Sequence, residues 1–116
     1  MLQGNSPSRR LTSRVVVSED TYVYWNCKGR EDISRVRDLS TRGLFIETPR
    51  QFPASTETKL HFLVQEGEIN VQAVVCHMQP PTGLGLKFTS VREEHHRRLA
   101  ALINRLRSLV DPSANK

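Results

Sequence analysis

The sequence predicts a mainly β protein, a small antiparallel barrel or sandwich with one C-terminal α-helix. Short segments in which apolar and polar residues alternate recur as far as residue 88, with turn residues such as Pro80-Pro81-Thr82-Gly83 between them. This two-residue period is that of a β-strand. The period then changes to that of an amphipathic helix. A chain of 116 residues has room for one domain with a modest hydrophobic core.

Six segments are predicted as strands. Segments 60–64 and 69–76 flank Glu66-Gly67 and therefore predict a hairpin. In segment 33–39 the apolar residues do not keep a strict spacing of two, which predicts a bulged strand. The predicted strands are 21–27, 33–39, 44–46, 60–64, 69–76 and 84–88.

The C-terminal segment predicts one amphipathic helix at about residues 91–110, ended by Asp111-Pro112. Its arginines lie largely outside the apolar stripe. The stripe consists of Leu99, Leu102, Ile103, Leu106 and Val110. Residues 1–8 are polar and aperiodic, so we expect a flexible N-terminal arm, then a single domain at 9–110 and a short tail at 111–116.

The composition is that of a soluble protein. No apolar run approaches the ~18 residues of a membrane-spanning helix, and the first residues lack the apolar core of a secretory signal. We therefore expect a cytoplasmic location. The net charge of +5 and the pI near 9.8 favour an anionic partner, which would be nucleic acid, an anionic membrane or a phosphorylated small molecule. Charge alone does not choose among these three.

The sequence contains no recognisable catalytic or metal-binding constellation. His61, His77 and His95-His96 have no Cys or carboxylate partners at metal-ligand spacing, so we expect packing or surface roles for them, with no metal and no cofactor. No nucleophile with a base and no pair of carboxylates stands at a recognisable spacing. The chain is therefore not predicted to be an enzyme.

Three arginines near the N-terminus form the first binding motif, Arg9-Arg10-x-x-x-Arg14. Arg10 and Arg14 are four residues apart and share a face in either an extended or a helical segment. A guanidinium binds phosphate through two parallel hydrogen bonds, pairs with the O6/N7 edge of guanine or stacks on a base, and lysine does these poorly. The motif therefore indicates that an anionic ligand is recognised through contacts of defined geometry, and not by charge alone.

The second motif, Asp38-x-Ser40-x-x-Gly43, lies between two predicted strands. A carboxylate accepts hydrogen bonds, so Asp38 can bind the N–H groups on the Watson–Crick edge of guanine, and Ser40 can donate or accept. Gly43 would supply a positive φ or let the backbone approach the ligand closely. Each motif alone is common, because D-x-S-x-x-G is also typical of an ordinary turn.

The order and context of the two motifs resemble the PilZ family, whose members are receptors for cyclic dimeric GMP (c-di-GMP). The phrase Gly83-Leu84-Gly85-Leu86-Lys87-Phe88 is also similar to that family's closing strand. The resemblance covers roughly residues 8–109. It implies a six-stranded antiparallel β-barrel with a C-terminal helix, an N-terminal arginine loop that orders over the ligand, and a signal relayed to a partner protein.

The resemblance also assigns roles to individual residues. Arg10 and Arg14 match the paired arginines that contact guanine and phosphate. Arg9 matches a commonly basic position that influences whether one c-di-GMP or an intercalated pair binds, and we expect the pair. The complete set of implied ligand contacts is Arg9, Arg10, Arg14, Asp38, Ser40 and Gly43.

Two other functions remain open from the sequence. A small basic β-barrel that binds single-stranded nucleic acid would stack bases on Trp25, Tyr22 and Tyr24, although packing is the simpler role for these residues in an alternating strand. Its affinity for oligonucleotides would fall steeply with salt. A ligand-independent adaptor would bind a partner through the apolar and basic helix, and c-di-GMP would not change that binding.

Overall fold

The computed structural model describes residues 14–79 and 82–110, which form seven strands and one helix. The elements are β1 (Val15–Val16), β2 (Tyr22–Cys27), β3 (Arg30–Leu39), β4 (Gly43–Glu47), β5 (Glu57–Leu63), β6 (Asn70–Gln79), β7 (Gly83–Val91) and α1 (Glu93–Val110). The predicted arm at 1–8 and the predicted tail at 111–116 lie outside the described residues.

Strands β2 to β7 close into an antiparallel barrel. Their order is β3-β2-β5-β6-β7-β4, and β4 pairs back onto β3. The predicted six-stranded antiparallel barrel with a C-terminal helix is confirmed. The additional strand β1 pairs with the end of β3, and sequence analysis missed it because two residues are too few to show a period.

The inner face of β2 forms the centre of the core. Val23, Trp25 and Cys27 are fully buried, as the alternation predicts. The Trp25 Nε1–H donates a hydrogen bond to Ser34 Oγ at 2.9 Å, which satisfies the one polar atom of the indole. The ring also packs edge-on against Phe52, with ring centres 5.9 Å apart.

Strand β3 contains the predicted bulge. Val36 pairs with Ile46, but Phe45, which precedes Ile46 in β4, pairs with Asp38 rather than with Arg37. Val36 and Leu39 are fully buried, whereas Arg37 and Asp38 between them are half-buried. The extra residue of the bulge therefore turns two consecutive side chains, Arg37 and Asp38, to the outer wall of the barrel.

The helix packs its apolar stripe into the same core as the barrel. Leu99, Leu102, Ile103 and Leu106 are at most 1% exposed, and burying each contributes about 1.5–3 kcal/mol relative to leaving it in water. The helix begins at Glu93, close to the predicted start at 91. No helix in the described part of the chain is long and apolar enough to cross a membrane.

One arginine of the helix joins three parts of the fold. Arg105 Nε donates to Glu66 Oε2 at 2.6 Å in the β5–β6 loop, and its Nη1 donates to Glu19 Oε2 at 2.7 Å in the segment between β1 and β2. Hydrogen bonding to Glu66 is the main cause that raises the pKa of Arg105 above its ordinary value. The helix is thereby tied to the segment that follows β1.

Candidate functional site

The pairing of β1 with β3 places Arg14 beside Asp38. Val16 pairs with Asp38, and Val16 is 66% exposed while Val15 is buried. Because side chains two residues apart share a face of an extended segment, Arg14 lies on the same outer side as Val16. The Arg14 Nη1 donates to Asp38 Oδ1 at 2.6 Å. The structure thus brings together one residue from each predicted motif.

The turn after β3 is organised by Ser40. Its side chain is buried, its Oγ accepts the backbone N–H of Arg42 at 3.1 Å, and its own N–H donates to the carbonyl of Gly43 at 2.9 Å. These two bonds hold the turn that leads from β3 into β4. Ser40 therefore has a structural role at the site, and its contact with a ligand stays a prediction.

Gly43 is required by close packing between strands. It has no positive φ, which differs from one of the two roles expected for it. A Cβ at this position would instead collide with the backbone carbonyl of Leu86 on β7. Backbone cannot move aside as a flexible side chain can, so only glycine fits at the start of β4.

Replacing Gly43 with alanine should destabilise the protein by about 1–3 kcal/mol, because the added methyl group forces β4 away from β7. Urea denaturation of the variant measures this loss. Thr41→Ala in the same turn is the control and should change the free energy of unfolding by no more than about 0.5 kcal/mol. Equal stabilities for the two variants would contradict the packing argument.

The remaining predicted contacts, Arg9 and Arg10, lie outside the described residues. Their contacts with a ligand therefore stay predictions.

A row of residues beside Asp38 on the outer wall was not predicted from the sequence. Asp38 pairs with Phe45, Phe45 with Gly85, and Gly85 with His77, so these four residues cross β3, β4, β7 and β6 side by side. The ring centres of Phe45 and His77 are 6.0 Å apart. The guanidinium carbon of Arg37 lies 4.3 Å from the centre of the Phe45 ring.

The glycines of β7 were the signal in the sequence for this row. A Cβ at Gly83 would collide with the backbone carbonyl of Ile46 and with the Phe45 ring, and a Cβ at Gly85 would collide with the His77 ring. The two glycines therefore make room for aromatic rings on the outside of the barrel. Phe45 belongs to the predicted strand 44–46 and is only 6% exposed, but it lies outside the core cluster and is covered by the side chains of Arg37 and His77.

A concavity of the described structure lies away from Arg14 and Asp38. It has a volume of about 840 Å³ and is lined by residues of β2, β5, β6, β7 and the segment at 53–56, including Lys59, together with Lys28 of the β2–β3 turn. Its lining contains no arginine and no aromatic ring, so it offers neither of the groups that bind phosphate and bases most effectively. None of the predicted site residues takes part in it.

The histidines give no sign of a metal site in the part of the chain that the structure describes. No group of three or more His, Cys, Asp or Glu side chains lies close enough there to hold an ion. His95 is buried, and its Nδ1 accepts the backbone N–H of Asn70 at 3.1 Å, which is a packing role.

The fold and the site together define the class of protein. It is a closed antiparallel β-barrel with a helix packed into its core, and the outer wall of the barrel carries a guanidinium–carboxylate pair. The family model of the PilZ domain matches residues 8–105. The chain belongs to the PilZ domain family. No curated protein sequence shows a significant match to it.

Solved structures show the same fold. The PilZ domain of YcgR from Escherichia coli with c-di-GMP has a TM-score of 0.68 and 17% identity, over 90% of this chain and 95% of that domain. The c-di-GMP complex of K. pneumoniae MrkH has a TM-score of 0.67 and 16% identity, over 90% of this chain and 54% of that protein.

A third similar structure is the inhibitor of motility MotI/DgrA from Bacillus subtilis, with a TM-score of 0.67 and 16% identity over 85% of this chain and 51% of that protein. This chain thus spans about half the length of the Bacillus subtilis and K. pneumoniae proteins. At these identities the similarity shows the fold.

Proposed function

We propose that this chain is a c-di-GMP receptor and that its ligand site includes Arg14 and Asp38 on the outer wall of the barrel. The contact between these two residues is the observation that carries the proposal. It places a guanidinium, which binds phosphate or the O6/N7 edge of guanine, beside a carboxylate, which accepts from the guanine N–H groups. A guanine nucleotide carries all of these partner groups.

The structural neighbours support the choice of this ligand. The structures of YcgR and MrkH named above both contain c-di-GMP, and both have the barrel of this chain. Family membership over residues 8–105 includes both motifs, and no position of either motif is substituted here. The function is binding rather than turnover, so c-di-GMP is expected to be recovered unchanged after incubation with the protein.

The N-terminal arginine loop that contains Arg9 and Arg10 would order over the bound ligand. Arg14 stands directly before β1, so its contact with Asp38 would anchor the C-terminal end of this loop at the site. Arg10 and Arg9 would then add contacts to a second phosphate or guanine, and Arg9 would stack on a further guanine if two ligand molecules bind. Ligand should slow hydrogen exchange of the Val15 and Val16 amides. Unchanged exchange would contradict the ordering.

A route for relaying the signal to a partner protein runs from β1 to the helix. Glu19 follows β1 in the chain and is bound by Arg105 of α1 at 2.7 Å. Ordering of the arginine loop beside Asp38 would therefore act through Glu19 and Arg105 on the position of the helix, whose surface would bind the partner. The partner itself stays unidentified.

Isothermal titration of the intact chain with c-di-GMP tests the proposal. Saturable binding is expected at micromolar ligand or below, with a stoichiometry of two ligands per protein if an intercalated pair forms. A folded sample that gives no heat at tens of micromolar c-di-GMP would rule the proposal out. The same sample titrated with a single-stranded oligonucleotide tests the nucleic-acid alternative, which requires binding that weakens steeply with salt.

The structure weakens that nucleic-acid alternative. It depends on stacking by Trp25, Tyr22 and Tyr24, but Trp25 is fully buried and its indole N–H is bound to Ser34. Tyr22 and Tyr24 do lie on the outer face of β2, with Tyr22 41% exposed. Two tyrosines remain of the three proposed stacking residues.

A further inference from the structure

The bulge of β3 gives the site a second guanidinium, that of Arg37, which belongs to the barrel and not to the N-terminal arginine loop. In a regular strand Arg37 would point to the opposite face from Asp38. The register shift between Val36 and Asp38 turns both outward. Arg37 therefore lies next to the carboxylate that the proposed function uses.

The guanidinium of Arg37 is held in place by an aromatic ring. Its carbon lies 4.3 Å from the centre of the Phe45 ring, and a cation over an aromatic face at this distance is attracted to it. Phe45 is itself fixed, because it is only 6% exposed and its ring fits against Gly83 and beside His77. The side chain of Arg37 is thus ordered before any ligand arrives, which lowers the entropy that binding must offset.

Arg37 also lacks a compensating negative charge within the described residues. Other half-buried arginines are neutralised by carboxylates, as Arg35 is by Asp20 and Glu47 and Arg105 is by Glu66 and Glu19. Arg37 forms no ion pair with any residue in 14–79 or 82–110. An ordered guanidinium without a counter-charge, on the wall beside the ligand-binding carboxylate, is suited to receive an anion.

We propose that Arg37 binds a phosphate group of the ligand held at Arg14 and Asp38, with Phe45 as the residue that positions it. This inference rests on the proposed c-di-GMP site and deepens it. The barrel wall would contribute its own phosphate contact, in addition to the contacts of the N-terminal arginine loop. No bond is made or broken in this role.

Titration of Arg37→Gln with c-di-GMP tests the contact. Glutamine keeps a long polar side chain but removes the charge, so Kd should rise about tenfold to a hundredfold, as expected for the loss of a charge-assisted hydrogen bond. Arg30→Gln is the matched control, because Arg30 lies at the other end of the same strand and is exposed. Its Kd should stay within twofold of the wild type.

A double-mutant cycle tests the positioning role of Phe45. Phe45→Leu should raise Kd about threefold to tenfold in the wild-type background, but by no more than twofold in the Arg37→Gln background, since the residue it positions is then gone. A purely structural role for Phe45 would give the same increase in both backgrounds and would overturn this part of the proposal.

The outcomes separate this inference from the proposed function. If the wild type binds c-di-GMP and Arg37→Gln weakens binding less than threefold, or no more than Arg30→Gln does, the role of Arg37 is wrong while the receptor function stands. If the folded wild type does not bind, both are wrong.

Discussion

Replacing Asp38 with alanine is expected to raise the Kd for c-di-GMP by about thirtyfold to a thousandfold while leaving the fold intact. The change removes the proposed acceptor for guanine N–H groups and releases Arg14 from its 2.6 Å contact with Asp38. Truncating one partner of a hydrogen-bonded charge pair at a binding site costs about 2–4 kcal/mol. Arg14→Ala should lose a similar amount.

The stability of these variants distinguishes a lost contact from a lost fold. In the free protein the Arg14 side chain is 52% exposed, and an exposed ion pair contributes at most about 1 kcal/mol. Urea denaturation should therefore show little change for either variant. Glu31→Ala, an exposed carboxylate near the other end of β3, is the control for charge and should bind normally. Tight binding by Asp38→Ala would remove the basis of the proposed site.

The largest effect on stability is expected for Trp25. Trp25→Ala should lower the free energy of unfolding by about 3–5 kcal/mol, because it empties the centre of the barrel and leaves the Ser34 hydroxyl without its donor. A domain of this size is stable by only about 5–15 kcal/mol. Since the chain has a single tryptophan, far-UV circular dichroism in urea is the suitable measurement.

Two further variants keep this prediction testable if Trp25→Ala does not fold. Trp25→Phe fills most of the space but loses the hydrogen bond to Ser34, so a smaller loss of about 1–2 kcal/mol is expected. Tyr22→Ala, at an exposed position on the outer face of the same strand, should change stability by less than about 1 kcal/mol. If Tyr22→Ala is the more damaging substitution, the assignment of the two faces of β2 is wrong.

Where the hydrophobic period was long and regular, the sequence was sufficient to predict the fold. The alternation around Trp25 correctly separates the inner and outer faces of β2, and the helical stripe from Leu99 to Leu106 correctly identifies the buried face of α1. Burial produces such a period directly, because the side chains on one face of each strand or helix are removed from water. Irregular positions were harder. In β3 it is Ser34 that faces inward and Ile33 that is 55% exposed.

The candidate site was predictable only in part. The two motifs and their order predicted Arg14 and Asp38 as site residues, but the contact between these two residues depends on β1, whose two residues carry no detectable period. The outward position of Arg37 depends on which residue of β3 is the extra one in the bulge. The burial of Phe45 on the outer wall depends on residues of β3, β6 and β7. Contacts between residues distant in sequence set these features, so a local pattern cannot reveal them.

Closure of the barrel limits how a partner protein can bind. Each of β2 to β7 pairs with another strand on both sides over at least part of its length. Many peptides bind by adding a strand to an exposed sheet edge, but here closure leaves only parts of strands for this, such as β1 and residues 30–35 of β3 on the side of β4. We therefore expect recognition of this domain to rely mainly on side-chain surfaces and on their charge, which substitutions at exposed positions can change without disturbing the barrel.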